Sequence, residues 1–192
     1  MTLNAFKRKI ISFFLRRKIK SIGKNVYIGK RYTITGGKYI KIGNDVSILE
    51  GASINCFDRY CDVTYHPEII IGNGVYANRF FTIYCASKVV IKDNTFIGAY
   101  VTITDENHGL DLSSKLCFGL QPLSTKPVEI GHNCWIGEKV TILPGVIIGD
   151  NCIVGAGSVV TKNIPAGSMC CGNPAKIIKK WSSENNEWIS TQ

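Results

Sequence analysis

The run Ile130-Gly-His-Asn-Cys-Trp-Ile136-Gly-Glu-Lys-Val-Thr-Ile142-Leu-Pro-Gly-Val-Ile-Ile148-Gly-Asp-Asn-Cys-Ile-Val154-Gly-Ala-Gly-Ser-Val-Val160 carries an aliphatic residue at every sixth place. A period of six matches neither the turn of a helix nor the simple alternation of a strand. A fixed short repeat of this kind is the mark of a parallel β-helix built by stacking coils. Outward toward the N-terminus the spacing returns in groups of three: Ile91, Ile97, Ile103; Ile71, Ala77, Ile83; Ile42, Ile48, Ile54; and Ile22, Ile28, Ile34. Fifteen of the eighteen positions are isoleucine, and each departure from the spacing falls between groups, never inside one. Three sixes make an 18-residue coil with three flat faces. The extra residues between groups number two, eleven, two and twenty-one, so all of them leave from one corner.

The place after the aliphatic residue is glycine at 23, 29, 43, 72, 98, 131, 137, 149 and 155, on the first two faces and never on the third. Glycine there suits a turn whose backbone other residues adopt poorly. The fourth place is often small or β-branched (Val26, Val46, Ala52, Val75, Val101, Cys134, Val140, Cys152, Ser158), as a narrow interior filled by ladders of short side chains requires. At roughly 4.8 Å per coil, six coils form a prism about 28 Å long. The expectation is an all-β chain: a basic N-terminal helix over 1–20, a parallel β-helix over 21–168 with a long loop protruding near 104–129, and a tail over 169–192. With 192 residues and no linker-like run inside the repeats, one elongated domain is expected.

Eight cysteines suggest a disulfide framework at first sight. However, Cys134 and Cys152 stand one coil apart at an inward repeat position, where free cysteine behaves as a small apolar residue. Cys170 and Cys171 are adjacent, and Cys56, Cys61, Cys85 and Cys117 show no paired metal spacing. With no signal peptide evident, a reducing, cytoplasmic setting is expected.

The net charge of +9 is unevenly placed: residues 1–44 hold twelve Lys and Arg and no acid. Phe6, Ile10, Phe13 and Phe14 fall near helical spacing among Lys7, Arg8, Lys9, Arg16, Arg17, Lys18 and Lys20. Two roles fit residues 6–20: a helix lying on the anionic inner face of a membrane, or a cap over the open end of the first coil. The apolar stretch from Ile10 to Leu15 is too short to span a bilayer. No nucleic-acid recognition module accompanies the charge, so nucleic acid is not the expected partner.

There are three histidines. His108, in Thr104-Asp-Glu-Asn-His-Gly, stands at the start of the longest insertion, and loops on a rigid scaffold are the usual home of catalytic groups. His132 sits at an ordinary repeat position and is expected to face solvent. His66 lies in the eleven-residue insertion, lining a pocket or decorating a loop.

The run from Ile130 to Pro165, with Cys171-Gly-Asn-Pro-Ala-Lys176 after it, resembles the C-terminal half of the hexapeptide-repeat acyltransferases. The likeness is greatest to sugar O-acetyltransferases of the maltose and galactoside type and to relatives acting on bacterial surface polysaccharides. It covers residues 22 to about 180, with strong motifs only from 71 onward. The resemblance implies a left-handed coil, a homotrimer with active sites between subunits, and acetyl-CoA as co-substrate without a metal. It makes His108 the base that takes the acceptor's hydroxyl proton, a role that suits a histidine near neutral pH, with Asp105 or Glu106 as candidates to orient the imidazole. No cysteine or serine stands in a recognisable nucleophile setting, so direct attack on the thioester is favoured over an acyl-enzyme.

By the same resemblance Asn78, in Tyr76-Ala-Asn-Arg, touches the acceptor and the histidine. Trp135, Glu138, Ala156, Thr161 and Lys162 line the coenzyme, with Lys176 and Lys179 at its phosphates and Lys180 beside them. One departure stands out: the family's acidic acceptor contact falls near Ala86 and Ser87, where this chain has no acid. That puts simple maltose or galactoside specificity in doubt and turns attention to Asp58, Arg59, Tyr60, Asp62, Tyr65 and His66 of the insertion. Three alternatives stand beside it: an N-acetyltransferase of amino-sugar nucleotides, a non-catalytic scaffold, and a β-helical zinc enzyme. For the last, the separations among His66, His108 and His132 do not fit three converging ligands.

Overall fold

The computed structural model describes residues 17–191. Eighteen short strands stack in parallel as three six-stranded faces. The first face holds Ser21–Ile22, Ile40–Ile42, Glu68–Ile71, Lys88–Ile91, Val128–Ile130 and Ile147–Ile148. The second begins at Tyr27–Ile28 and the third at Thr33–Thr35, with one strand of each added per coil.

The six-residue spacing is the register of this stack. Ile22 pairs with Ile42, Ile42 with Ile71, Ile71 with Ile91, Ile91 with Ile130 and Ile130 with Ile148. On the third face the ladder runs Ile34, Ile54, Ile83, Ile103, Ile142, Val160. All of these positions on the three faces are buried apart from Ile22 and Ile34 of the first coil, which pack against the core half-buried. Each buried isoleucine contributes on the order of 1.5–3 kcal/mol of apolar burial, so the column is the main source of stability. The fourth-place residues, from Val26 to Ser158, are buried as well.

The glycines serve a different purpose from the one expected. None of those directly after the aliphatic positions has a positive φ. The left-handed residue sits two places later, at Asn25, Asp45, Phe80, Asn94, Tyr100, Asn133, Lys139 and Asn151 among others. Glycine is required instead by the stacking of coils: a Cβ on Gly98 would lie 2.6 Å from the Glu138 nitrogen, and one on Gly137 2.6 Å from the Ala156 nitrogen.

Side chains zip the corner after the first face. Asn44 Oδ1 accepts the Lys24 N–H, Asn73 Oδ1 the Asn44 N–H, and Asp93 Oδ1 the Asn73 N–H, at 2.9, 2.9 and 2.7 Å. That corner is committed to structure, whereas the corner after the third face carries both long insertions.

At the N-terminal end Ile19 is buried in the core. The helix expected over 1–20 lies, up to Arg16, outside the described residues, and 17–20 form a turn and bend leading into the first strand. At the other end, the stretch read as a tail forms strands. Ser168–Gly172 extends the second face in parallel, and Ala175–Ser182 and Glu187–Ser190 follow antiparallel. Trp181 and Trp188 meet edge-on with centroids 5.6 Å apart. Among the described residues no helix is long and apolar enough to cross a membrane.

Candidate active site

The two insertions rise from one corner and are tied to each other. The first carries the small hairpin Arg59–Tyr60 and Val63–Thr64. The second begins as Glu106–Asn107 paired antiparallel with Ser124–Thr125, so a ribbon pinches its root and His108 emerges directly from it. Tyr60 donates its hydroxyl to the Gly119 carbonyl. The Tyr65 hydroxyl accepts the Leu123 N–H at 2.7 Å and donates to the Leu123 carbonyl at 3.2 Å.

Between them lies a cavity of about 290 Å³ lined by Phe57, Tyr60, Tyr84, Glu106, His108 and Leu123. The Tyr60 ring stands 5.4 Å from the His108 ring, tilted by 49°. His108 itself is exposed at this cavity. Burial pushes the Glu106 carboxyl above the usual carboxylate range; the charge of His108 draws it back and that of Asp105 pushes it further up.

Two carboxylates were candidates to orient the imidazole, and the structure separates them. Asp105 is fully buried and turned the other way. Its oxygens accept the N–H groups of Ala86 and Ser87, both at 2.8 Å, and the Cys85 thiol at 3.2 Å. The thiol is held protonated for this by hydrogen bonding with Cys56 and by burial, which raise its pKa. Asp105 therefore fixes the 85–87 corner to the root of the loop, and Glu106 is the carboxyl that shares the cavity with His108. At Ala86 and Ser87, where the family's acidic contact was missing, the carboxylate present is spent on the backbone.

Gln121 holds the loop closed. Buried at 3% exposure, it accepts the Asp111 N–H through Oε1 at 2.9 Å and donates through Nε2 to the carbonyls of Asp111 and Leu116 at 3.0 and 3.1 Å. Gly109, next to His108, packs so close that a Cβ would lie 2.5 Å from the Gln121 Cβ.

Asn78 is not brought to His108 within one chain. It follows the second face, where it lines another cavity, of about 440 Å³, with Leu49, Arg79, Phe80, Ala99, Tyr100 and Glu138. Its Oδ1 accepts the Arg79 N–H at 2.7 Å. His66 and His132 are exposed and outside both cavities. Among the described residues no group of three His, Cys, Asp or Glu side chains is placed to hold a metal.

Comparison with known proteins bears on this corner and coil together. Residues 127–162 match the family model described as bacterial transferase hexapeptide (six repeats). The chain is 40% identical over 155 residues to the putative lipopolysaccharide biosynthesis O-acetyl transferase WbbJ of Escherichia coli K12, covering 78% of this chain and 76% of that protein. The chain belongs to the hexapeptide-repeat acetyltransferases. Its coil is accordingly the left-handed one. It is 43% identical over 127 residues to the putative acetyltransferase YJL218W of Saccharomyces cerevisiae, a match that spans 66% of this chain but 62% of the yeast protein. A solved galactoside acetyltransferase in complex with coenzyme A superposes with a TM-score of 0.59 at 26% identity, covering 91% of this chain and 71% of that one.

In this hexapeptide-repeat protein the remaining expected residues gather toward the C-terminal half. Trp135 projects outward from the second face at 54% exposure. Glu138, Ala156, Thr161 and Lys162 are exposed, and Lys176 and Lys179 are exposed on Ala175–Ser182. Phe57, Tyr84, Leu123 and Gln121 were not identified from the sequence as site-forming residues, and Asp105 was expected at the imidazole rather than at the 85–87 corner. The weak signal for Tyr84 is its place directly after a third-face aliphatic residue, at the functional corner; Asp105 and Gln121 acquire their roles only through contacts distant in sequence.

Proposed function

We propose that the chain transfers an acetyl group from acetyl-CoA to a sugar hydroxyl of a bacterial surface polysaccharide or its precursor, with His108 as general base. The observation that carries this reading is His108 at the mouth of a preformed cavity, on the corner that both insertions share. The hydroxyl oxygen attacks the thioester carbonyl, a C–O bond forms and the C–S bond breaks. The hydroxyl proton passes to His108 and from there to the departing thiolate, so the imidazole ends as it began. Glu106, in the same cavity, is placed to stabilise the imidazolium between those two transfers.

For acetyl-CoA, the corner after the second face offers an open shelf: Ala156 is exposed, and a Cβ added to Gly157 would meet nothing within 4 Å. Trp135, Glu138, Ala156 and Thr161 would lie along the pantetheine arm, and Lys162, Lys176 and Lys179 would meet its phosphates.

Because Asn78 and His108 occupy different corners, one chain supplies the two halves of the site at separate places. A homotrimer that sets the Asn78 corner of one copy against the His108 corner of the next would complete the site, and the exposed aromatic column of Phe96 and Trp135 on the second face supports such packing. Residues 6–20, basic and apolar in alternation, would hold the enzyme at a membrane carrying a lipid-linked acceptor. Removal of residues 1–16, upstream of the buried Ile19, should abolish binding to anionic vesicles and leave turnover of a soluble acceptor intact.

Thiol release from acetyl-CoA across matched hydroxyl and amine acceptors tests the reading. Hydroxyl acceptors should be turned over, and turnover of amines alone would overturn it.

A further inference from the structure

The cavity beside His108 has a chemical bias that acetyl transfer by itself does not require. Phe57, Tyr60 and Tyr84 give it three aromatic rings and Leu123 an aliphatic wall, while Glu106 and His108 supply its ionisable chemistry. No Lys or Arg is among the lining residues. On the insertion, Arg59 pairs with Asp62 at 2.8 Å and Asp58 with Lys38 at 3.0 Å.

The rings are held rather than free to swing. Phe57 and Tyr84 lie 6.3 Å apart and 17° from parallel, and Tyr60 is tied by its hydroxyl to Gly119. Flat fixed rings of this kind receive the C–H face of a pyranose, burying apolar surface at little entropic cost. About 290 Å³ is at the small end of the roughly 300–1,000 Å³ of ligand cavities, which suits one ring rather than a nucleotide. The remaining polar element works against anions. An acceptor carboxylate or phosphate seated here would set a like charge beside the ionised Glu106 in a partly desolvated place, with no Lys or Arg in the lining to offset it.

We propose that this cavity selects an uncharged glycosyl ring that presents an apolar face to Phe57, Tyr60 and Tyr84, and that Glu106 rejects rings bearing a carboxylate or phosphate. The inference rests on the sugar-hydroxyl reading above and narrows its substrate class. It accounts for the missing acidic acceptor contact at Ala86 and Ser87: recognition passes from that corner to the 57–65 insertion.

The test uses the full chain and thiol release from acetyl-CoA, with methyl hexopyranosides and methyl 6-deoxyhexopyranosides compared against methyl uronides and hexose phosphates. Neutral rings should exceed charged ones in kcat/KM by at least about tenfold. Glu106→Gln should lower kcat for both classes through the lost support of the imidazolium, yet narrow the gap between them, because the uronide alone is relieved of the like charge. Phe57→Ala should raise the KM for the neutral ring about tenfold and leave the KM for acetyl-CoA unchanged. Charged rings turned over as well as or better than neutral ones by the wild type overturn the inference while leaving sugar O-acetylation standing, and so does a gap that Glu106→Gln does not alter. Absence of transfer to every hydroxyl acceptor, with transfer to an amine, overturns the O-acetylation reading and this inference with it.

Discussion

The carboxylate of Asp105, fully buried, accepts the backbone N–H of Ser87 at 2.8 Å, joining the exit of the third coil to the root of the loop that bears His108. The Ala86 N–H shares the same carboxylate. Asp105→Ala leaves two backbone donors without their partner, and hydrogen bonds to a charged group are worth about 1.5–3 kcal/mol each. Urea unfolding should therefore show a loss of about 3 kcal/mol or more. Asp105→Asn, which keeps one oxygen but turns an amide N–H₂ toward donors, should fall between the variant and the wild type.

Glu106 makes a pH-dependent prediction. Its carboxyl is raised in the folded chain, by burial first, so folding favours its protonated form. The contribution is fully present below the unfolded carboxylate's pKa and is lost as pH rises through the higher folded value. Glu106→Gln removes that loss. In thermal melts the variant should be the more stable protein at pH 8, and the difference should shrink toward zero near about pH 4.

Gln121 satisfies three backbone groups of the loop with one side chain. Gln121→Leu leaves them unpaired and frees the segment after His108. Since a misplacement of about 1 Å can cost on the order of a hundredfold in rate, kcat/KM for the acceptor should fall by ten- to a hundredfold. Binding of acetyl-CoA should hold, and proteolysis within 110–120 should accelerate.

Gly98→Ala would ordinarily stabilise a chain through the unfolded state. Here the added Cβ would lie 2.6 Å from the Glu138 nitrogen of the next coil. A lower melting temperature is expected, in contrast to Gly157→Ala, where the strain of a positive φ of 71° acts without any steric contact within 4 Å.

Much of the fold was legible because inward positions of a β-helix repeat strictly: Ile83, Ile97 and Ile130 had to point inward or the coil would have no core. The common corner of the insertions followed from the same register, and Tyr60 and Tyr65 meet the second loop there. The role of the glycines was misread because a sequence records that a side chain is not tolerated, not whether backbone angle or a neighbouring coil forbids it. Asn78 and His108 were paired by resemblance, although their places after different faces already set them at different corners. Gln121 escaped notice, and Asp105 was offered to the imidazole rather than to the backbone, because a buried polar side chain is defined by partners that only folding brings to it.

The most direct measurement compares thiol release by the wild type and His108→Ala with a neutral methyl hexopyranoside, alongside equilibrium binding of acetyl-CoA by both proteins. Loss of general-base help should lower acceptor-dependent turnover by about 10²- to 10⁴-fold, with acetyl-CoA affinity unchanged. Turnover retained by His108→Ala within a few fold of the wild type would contradict the assignment of the base.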